Sequence, residues 1–157
     1  MSKNYWIFKS EPQKFSILDL DNCPDKTTYW NGVRNYQARN FLRDEIKKGD
    51  KVLFYHSNAE PLAVVGCCRV VKEGYPDFTA FDPASNYFDP KSNPDKPTWF
   101  MVDIKLDKIF KHPVTLDEIK ENDNLKDILL IKRGNRLSVF QITSDEYDEI
   151  IKLSNNK

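Results

Sequence analysis

The run KVLFYHSNAEPLAVVGCCRVV, residues 51–71, leaves this chain the least freedom of fold. Two apolar stretches, rich in β-branched and aromatic residues, flank a polar turn that ends in Pro61. Such residues lose side-chain freedom in a helix and pack well on a pleated sheet. With so short a turn between them, residues 51–57 and 62–71 read as an antiparallel hairpin. Gly66, inside the second strand, predicts a bulge or the close approach of another segment.

Further strands fit residues 4–9, 99–110 and 137–142, and residues 29–35, YWNGVRN, form a short extended piece broken at Asn31-Gly32. Helices alternate with these strands. Residues 15–20 carry a Ser16/Asp19 capping pair, residues 115–121 a Thr115/Glu118 box and residues 143–153 a Thr143/Glu146 box. Asn35 is placed to cap a helix over 36–48 that Gly49 ends. Ala38, Phe41, Leu42 and Ile46 share one face of it, with Arg39, Arg43 and Lys47 in a stripe alongside. Residues 75–98 hold Pro76, Pro83, Pro90, Pro94 and Pro97 among Tyr75, Phe78, Phe81, Tyr87 and Phe88. A disordered linker rarely carries so many aromatics, so this is an ordered, functional loop. The elements describe an α+β fold, a small mixed β-barrel flanked by helices, in a single domain over 1–157 with 155–157 frayed.

Lys+Arg and Asp+Glu are each 24, so net charge argues for neither a nucleic acid nor a membrane partner, and any such argument must be local. No run approaches the roughly 18 apolar residues of a membrane span. Cys23, Cys67 and Cys68 follow no disulfide framework, which points to reduced thiols inside the cell. His56 and His112 are far apart and C-x-x-C is absent, so neither a metal nor another cofactor is expected.

Four features carry candidate chemistry. The first strand ends in Lys9-Ser10-Glu11-Pro12, which is either a strand end meeting solvent or the polar rim of a pocket. Trp30, before Asn31-Gly32, is either a core ring or a stacking wall for a base. Arg34, Arg39, Arg43 and Lys47 form a solvated face or a row of phosphate contacts, and Arg133 with Arg136 a smaller basic spot. His56, in Phe54–Ser57, is a hydrogen-bonded core histidine unless it lines a cavity.

YWIFKSEP, YWNGVRNYQARNFLRD, GDKVLFYHS, VVGCCRVVKEGYPD and RLSV, in this order from Tyr5 to about Leu153, together resemble the EVE domain family. The resemblance implies a PUA-like fold, related to the YTH domain. It implies a reader of modified bases, most of all modified cytosine, in DNA or RNA, and not a catalyst. Matched motif by motif, it assigns ligand binding to Lys9, Ser10, Trp30, Asn31, Asn35, Tyr55, His56 and Ser57. Phosphate contacts fall to Arg34, Arg39, Arg43 and Lys47, and no residue is assigned a catalytic role. The family commonly has Asp where this chain has Asn31 and Pro where it has Gln141. A reader with a second aromatic wall from Tyr75, Phe81, Tyr87, Phe88 or Trp99 is expected, and Trp30→Ala is expected to remove binding and spare the fold. The expected setting is a cytoplasmic monomer, nuclear in a eukaryote. Two other functions stay open: an ASCH-like hydrolase of modified cytidine using Lys9, Ser10 and Glu11, and a protein-interaction module.

Overall fold

The computed structural model describes residues 3–135 and 137–155. Its centre is a parallel pair, β1 (Tyr5–Ser10) beside β3 (Lys51–His56), with Tyr5 opposite Lys51 and Ser10 opposite His56. Strands buried on both faces read as continuous apolar runs, and Trp6, Ile7, Phe8, Val52, Leu53 and Phe54 are all fully buried. Parallel neighbours need a crossover. Here it passes through α1 (Ile17–Asp21), β2 (Thr27–Tyr29) and α2 (Tyr36–Asn40).

The predicted hairpin forms, β3 against β4 (Ala63–Pro76), and β4 pairs in turn with β5 (Phe100–Thr115). β5 leads into α3 (Leu116–Lys120), and the chain ends through β6 (Val139–Ile142) and α4 (Ser144–Asn155). The sheet has six strands in the order β2-β5-β4-β3-β1-β6, and it curls like a barrel without closing. Several register shifts along β4 and β5 supply the curl, since each bulge bends its strand and increases the local twist. Gly66 lies at one of them. A Cβ there would stand 2.2 Å from Ile17 Cδ1 and 2.6 Å from the Lys108 carbonyl, so glycine lets α1 seat on the sheet.

The capping boxes at Ser16/Asp19 and Thr115/Glu118 form as the spacing predicts, and Asn35 caps α2. Three expectations change. The helix predicted over 36–48 stops at Asn40, runs on as one π-helical turn over Phe41–Glu45, and ends there. The cause is Asp50, 3% exposed, whose carboxylate accepts from Lys47 N–H at 2.9 Å and from the Trp6 indole at 3.0 Å. A buried carboxylate must keep its donors, so it draws the chain out of the helix. β4 and β5 both outrun their predicted ends, because they pair with each other from Ala63 opposite Thr115 to Pro76 opposite Phe100. Asn155, expected to fray, is in α4 and accepts from Lys108 Nζ at 3.1 Å; residues 156 and 157 lie outside the described residues. No helix among the described residues is long and apolar enough to cross a membrane.

Candidate functional site

Because β1 and β3 run in parallel, their C-terminal ends emerge together, and Ser57 N–H donates to the Ser10 carbonyl at 2.9 Å. Beside these ends opens a cavity of about 530 Å³. β1 and the turn after it supply Lys9, Ser10, Glu11, Lys14 and Phe15; β2 and its continuation supply Thr28 to Val33. Ser57, Tyr87, Leu137 and Ser138 complete the lining. Lys9, Ser10, Trp30, Asn31 and Ser57 thus meet, as the sequence reading expected.

Trp30 is a core ring that also lines the cavity. It is 8% exposed and sits among Phe8, Phe54 and Phe15, with ring centroids 5.2, 5.4 and 6.3 Å away. Removing it would open the core, so the expectation that Trp30→Ala spares the fold is overturned. Its indole N–H differs from the others. Trp6 donates to Asp50 and Trp99 to Asp89, whereas among the described residues Trp30 Nε1 has no protein partner and is not sealed from solvent.

Ser10 is oriented by Phe15. Its hydroxyl donates to the Phe15 carbonyl at 2.6 Å, and a carbonyl can only accept, so Ser10 turns lone pairs alone towards a ligand. Lys9 is half-buried, 5.6 Å from the Phe140 ring centroid, and in no ion pair with the described residues. Burial lowers the pKa of this ammonium. Glu11 instead pairs with Lys14 at 3.3 Å on the rim. Ser10 thus adds an acceptor and Lys9 a donor to a polar lining that also includes Thr28, Asn31, Ser57 and Ser138.

Tyr87, one of the aromatics the long loop offered, also lines the cavity. Its ring lies flush on Gly32, where a Cβ would come within 2.6 Å of Tyr87 Cε1 and where φ is +79°. Both conditions demand glycine. Asp77, fully buried, holds the two segments together. It accepts from Gly32 N–H at 2.9 Å, from Thr79 N–H at 2.9 Å, from the Thr79 hydroxyl and from Arg34 Nη1 at 3.0 Å. Arg34 also donates to the Tyr87 carbonyl at 2.6 Å and lies 5.7 and 5.2 Å from the Tyr87 and Trp99 rings. Asn31 donates from Nδ2 to Thr79 Oγ1 at 3.3 Å, in the same network.

Other predicted residues stand elsewhere. Asn35 is exposed, and its Oδ1 accepts from Ala38 N–H at 3.0 Å, as a helix cap outside the cavity. Tyr55 points into the core, 4% exposed, and burial pushes its hydroxyl up to about 12. His56 accepts from Ile17 N–H at Nε2, 3.2 Å, and burial lowers its pKa, so it is the hydrogen-bonded structural histidine. The basic stripe is dispersed. Arg34 serves Asp77, Arg39 donates to the Thr98 carbonyl at 2.6 Å, Arg43 pairs with Asp44 at 2.7 Å and Lys47 stands 3.9 Å from Glu73. Arg133 is exposed, and Arg136 lies outside the described residues. Cys67 and Cys68 are buried thiols, and burial raises the pKa of both. Sequence reasoning did not select Gly32 and Asp77 for the site; Asn31-Gly32 beside an aromatic-rich loop was their only signal.

A family model described as the EVE domain matches residues 4–153. Thymocyte nuclear protein 1 of Rattus norvegicus is 43% identical over 167 residues, covering 96% of this chain and 73% of the relative. A hypothetical protein from Leishmania major superposes with a TM-score of 0.91 at 45% identity, covering 98% of this chain and 95% of its own. The human THYN1 protein, solved in complex with 5-methylcytosine containing DNA, superposes with a TM-score of 0.92 at 39% identity over 99% of each chain.

Proposed function

The chain belongs to the EVE domain family, and from that premise we propose that it captures a modified cytosine of DNA in the cavity beside β1 and β3. The observation that carries this reading is the polarity of the cavity wall. Among its polar lining residues we assign Ser10 as the acceptor for the base edge and Lys9, with the Trp30 indole, as the donors. Cytosine presents the complement on its pairing edge, an amine donor at N4 followed by acceptors at N3 and O2. Thymine carries the same 5-methyl group but swaps the first two positions of the edge, an acceptor at O4 and a donor at N3, and keeps the O2 acceptor. The likeness to the human protein solved with 5-methylcytosine DNA supports the reading from outside the chain.

The energetics suit a reader. Extruding a base from a duplex costs a few kcal/mol, and stacking between Tyr87 and the cavity floor returns about 1–3 kcal/mol. Burying one methyl group contributes only about 0.8 kcal/mol, roughly fourfold in affinity. Edge polarity is therefore the larger determinant, and the methyl group refines it. A hydrolytic use of Lys9, Ser10 and Glu11 finds no support in their partners, since Glu11 serves Lys14 and the Ser10 proton is given to Phe15. We take this domain to act as a monomer in the compartment that holds the nucleic acid.

The test is a titration of single- and double-stranded DNA, and of RNA, at fixed salt, with cytosine, 5-methylcytosine or thymine at one position. 5-Methylcytosine is expected to bind at least about tenfold more tightly than thymine, and Ser10→Ala to narrow the gap. Equal affinity for the two methylated bases would remove the edge-reading argument.

A further inference from the structure

We infer that the exposed pair Tyr29 and Phe78 forms a second stacking platform, for the base adjacent to the one in the cavity on the same strand. The two rings meet edge to face with centroids 5.0 Å apart, 44% and 50% exposed. Two adjacent half-exposed rings leave apolar faces open on the surface. Both are mounted on fixed elements. Tyr29 is held in β2 opposite Asp103, and Phe78 begins a 3-10 turn that Asp77 caps through Thr79 N–H at 2.9 Å. Little conformational freedom is left for a ligand to remove.

The occupant follows from continuity with the cavity. Tyr29 lines the cavity and also forms half of the platform, so the two share a wall. A base held in the cavity is tied through its phosphodiester to a neighbour that must cross this rim. Every base has a π-face, so the platform accepts any neighbour. Exposed Lys72 lies 3.9 Å from the Tyr75 ring centroid and pairs with no carboxylate among the described residues, which leaves its charge for the connecting phosphate. Tyr75 donates to Asp103, the residue opposite Tyr29, which fixes this cation next to the pair.

The platform rests on the base-capture reading, and one experiment separates the two. Fluorescence anisotropy would follow single-stranded oligonucleotides with a central cytosine or 5-methylcytosine, flanked on both sides by thymines or by abasic sites. For wild type, abasic flanks are expected to weaken binding about 5- to 150-fold. Phe78→Ala should produce the same loss on thymine-flanked strands and none on abasic-flanked ones, and Phe78→Trp should restore it. Indifference of wild type to the flanks, as for a surface made for a protein partner, overturns the platform. So does an equal loss by Phe78→Ala on both kinds of strand. Methyl discrimination at the centre reports on the cavity separately: its absence beside a persistent flank effect sinks the cavity reading alone. Failure to bind any strand sinks both.

Discussion

Replacing Arg34 by methionine keeps most of the side-chain volume and removes the only cation that Asp77 touches among the described residues. The Asp77 carboxylate is fully buried, and the Arg34 side chain is 25% exposed. Breaking a buried ion pair from one side costs about 3–5 kcal/mol, chiefly because the remaining charge is left uncompensated. Asp77 retains the Gly32 and Thr79 donors, and solvent reaches Arg34, so the low end applies, about 3 kcal/mol. With a urea dependence of about 2 kcal/mol per molar, the midpoint of unfolding should fall by about 1.5 M. Affinity for the methylated oligonucleotide should fall too, since the Tyr87 carbonyl and ring lose the guanidinium that holds them. Arg34→Lys keeps the charge but cannot reach Asp77 and Tyr87 with one planar fork, so an intermediate loss is expected. A midpoint within about 0.3 M of wild type at unchanged slope, for both variants, would refute the assignment of Asp77 and Arg34 as the clasp of the site.

Trp30→Ala should lower stability by about 3–5 kcal/mol as well as abolish binding, whereas Trp30→Phe should fold and lose the indole donor; calorimetric unfolding beside titration distinguishes the two effects. Stability should also fall below neutral pH through His56. Burial keeps its folded pKa below the unfolded value, so the unfolded chain takes up the proton more readily. Its contribution is complete above the unfolded pKa near about 6.5 and declines as pH falls through that value towards the lower folded one. Protonation also removes the acceptor for Ile17 N–H, worth about 1 kcal/mol. Urea midpoints of His56→Gln and wild type between about pH 5 and about pH 7.5 should therefore converge at the acid end, and parallel curves would reject the mechanism.

Much of the framework was legible because its determinants are local. Ser16, Asn35 and Thr115 cap where their spacing to Asp19, Ala38 and Glu118 places them, and the hairpin follows from its turn. The early end of α2 was not legible, because Asp50 acts on Lys47 through a pocket shared with Trp6, more than forty positions away in the chain. The site divides in the same manner. The motifs singled out Lys9, Ser10, Trp30, Asn31 and Ser57, and all five line the cavity. The Asn35 side chain was already needed by its own helix, a competition that a family motif does not reveal. Tyr87 and Gly32 are united by a fold-wide contact that nothing in their neighbourhoods encodes. The partners of the basic stripe were hidden for a related reason. Arg39 and Arg43 do stand a turn apart, but each found a partner that helical spacing left out of account.

The lining of the cavity comes from both ends of the chain and from three places between, from Lys9 to Ser138. No fragment or locally opened form can keep the whole of it. Occupancy must therefore register in the folding equilibrium of the entire molecule, by about 2.7 kcal/mol at a ligand concentration a hundred times its dissociation constant. For a domain of this size that is a rise in melting temperature of roughly 5–11 °C. The melting curve becomes an unlabelled instrument for surveying nucleosides, in which the protein reports what it reads by how long it stays folded.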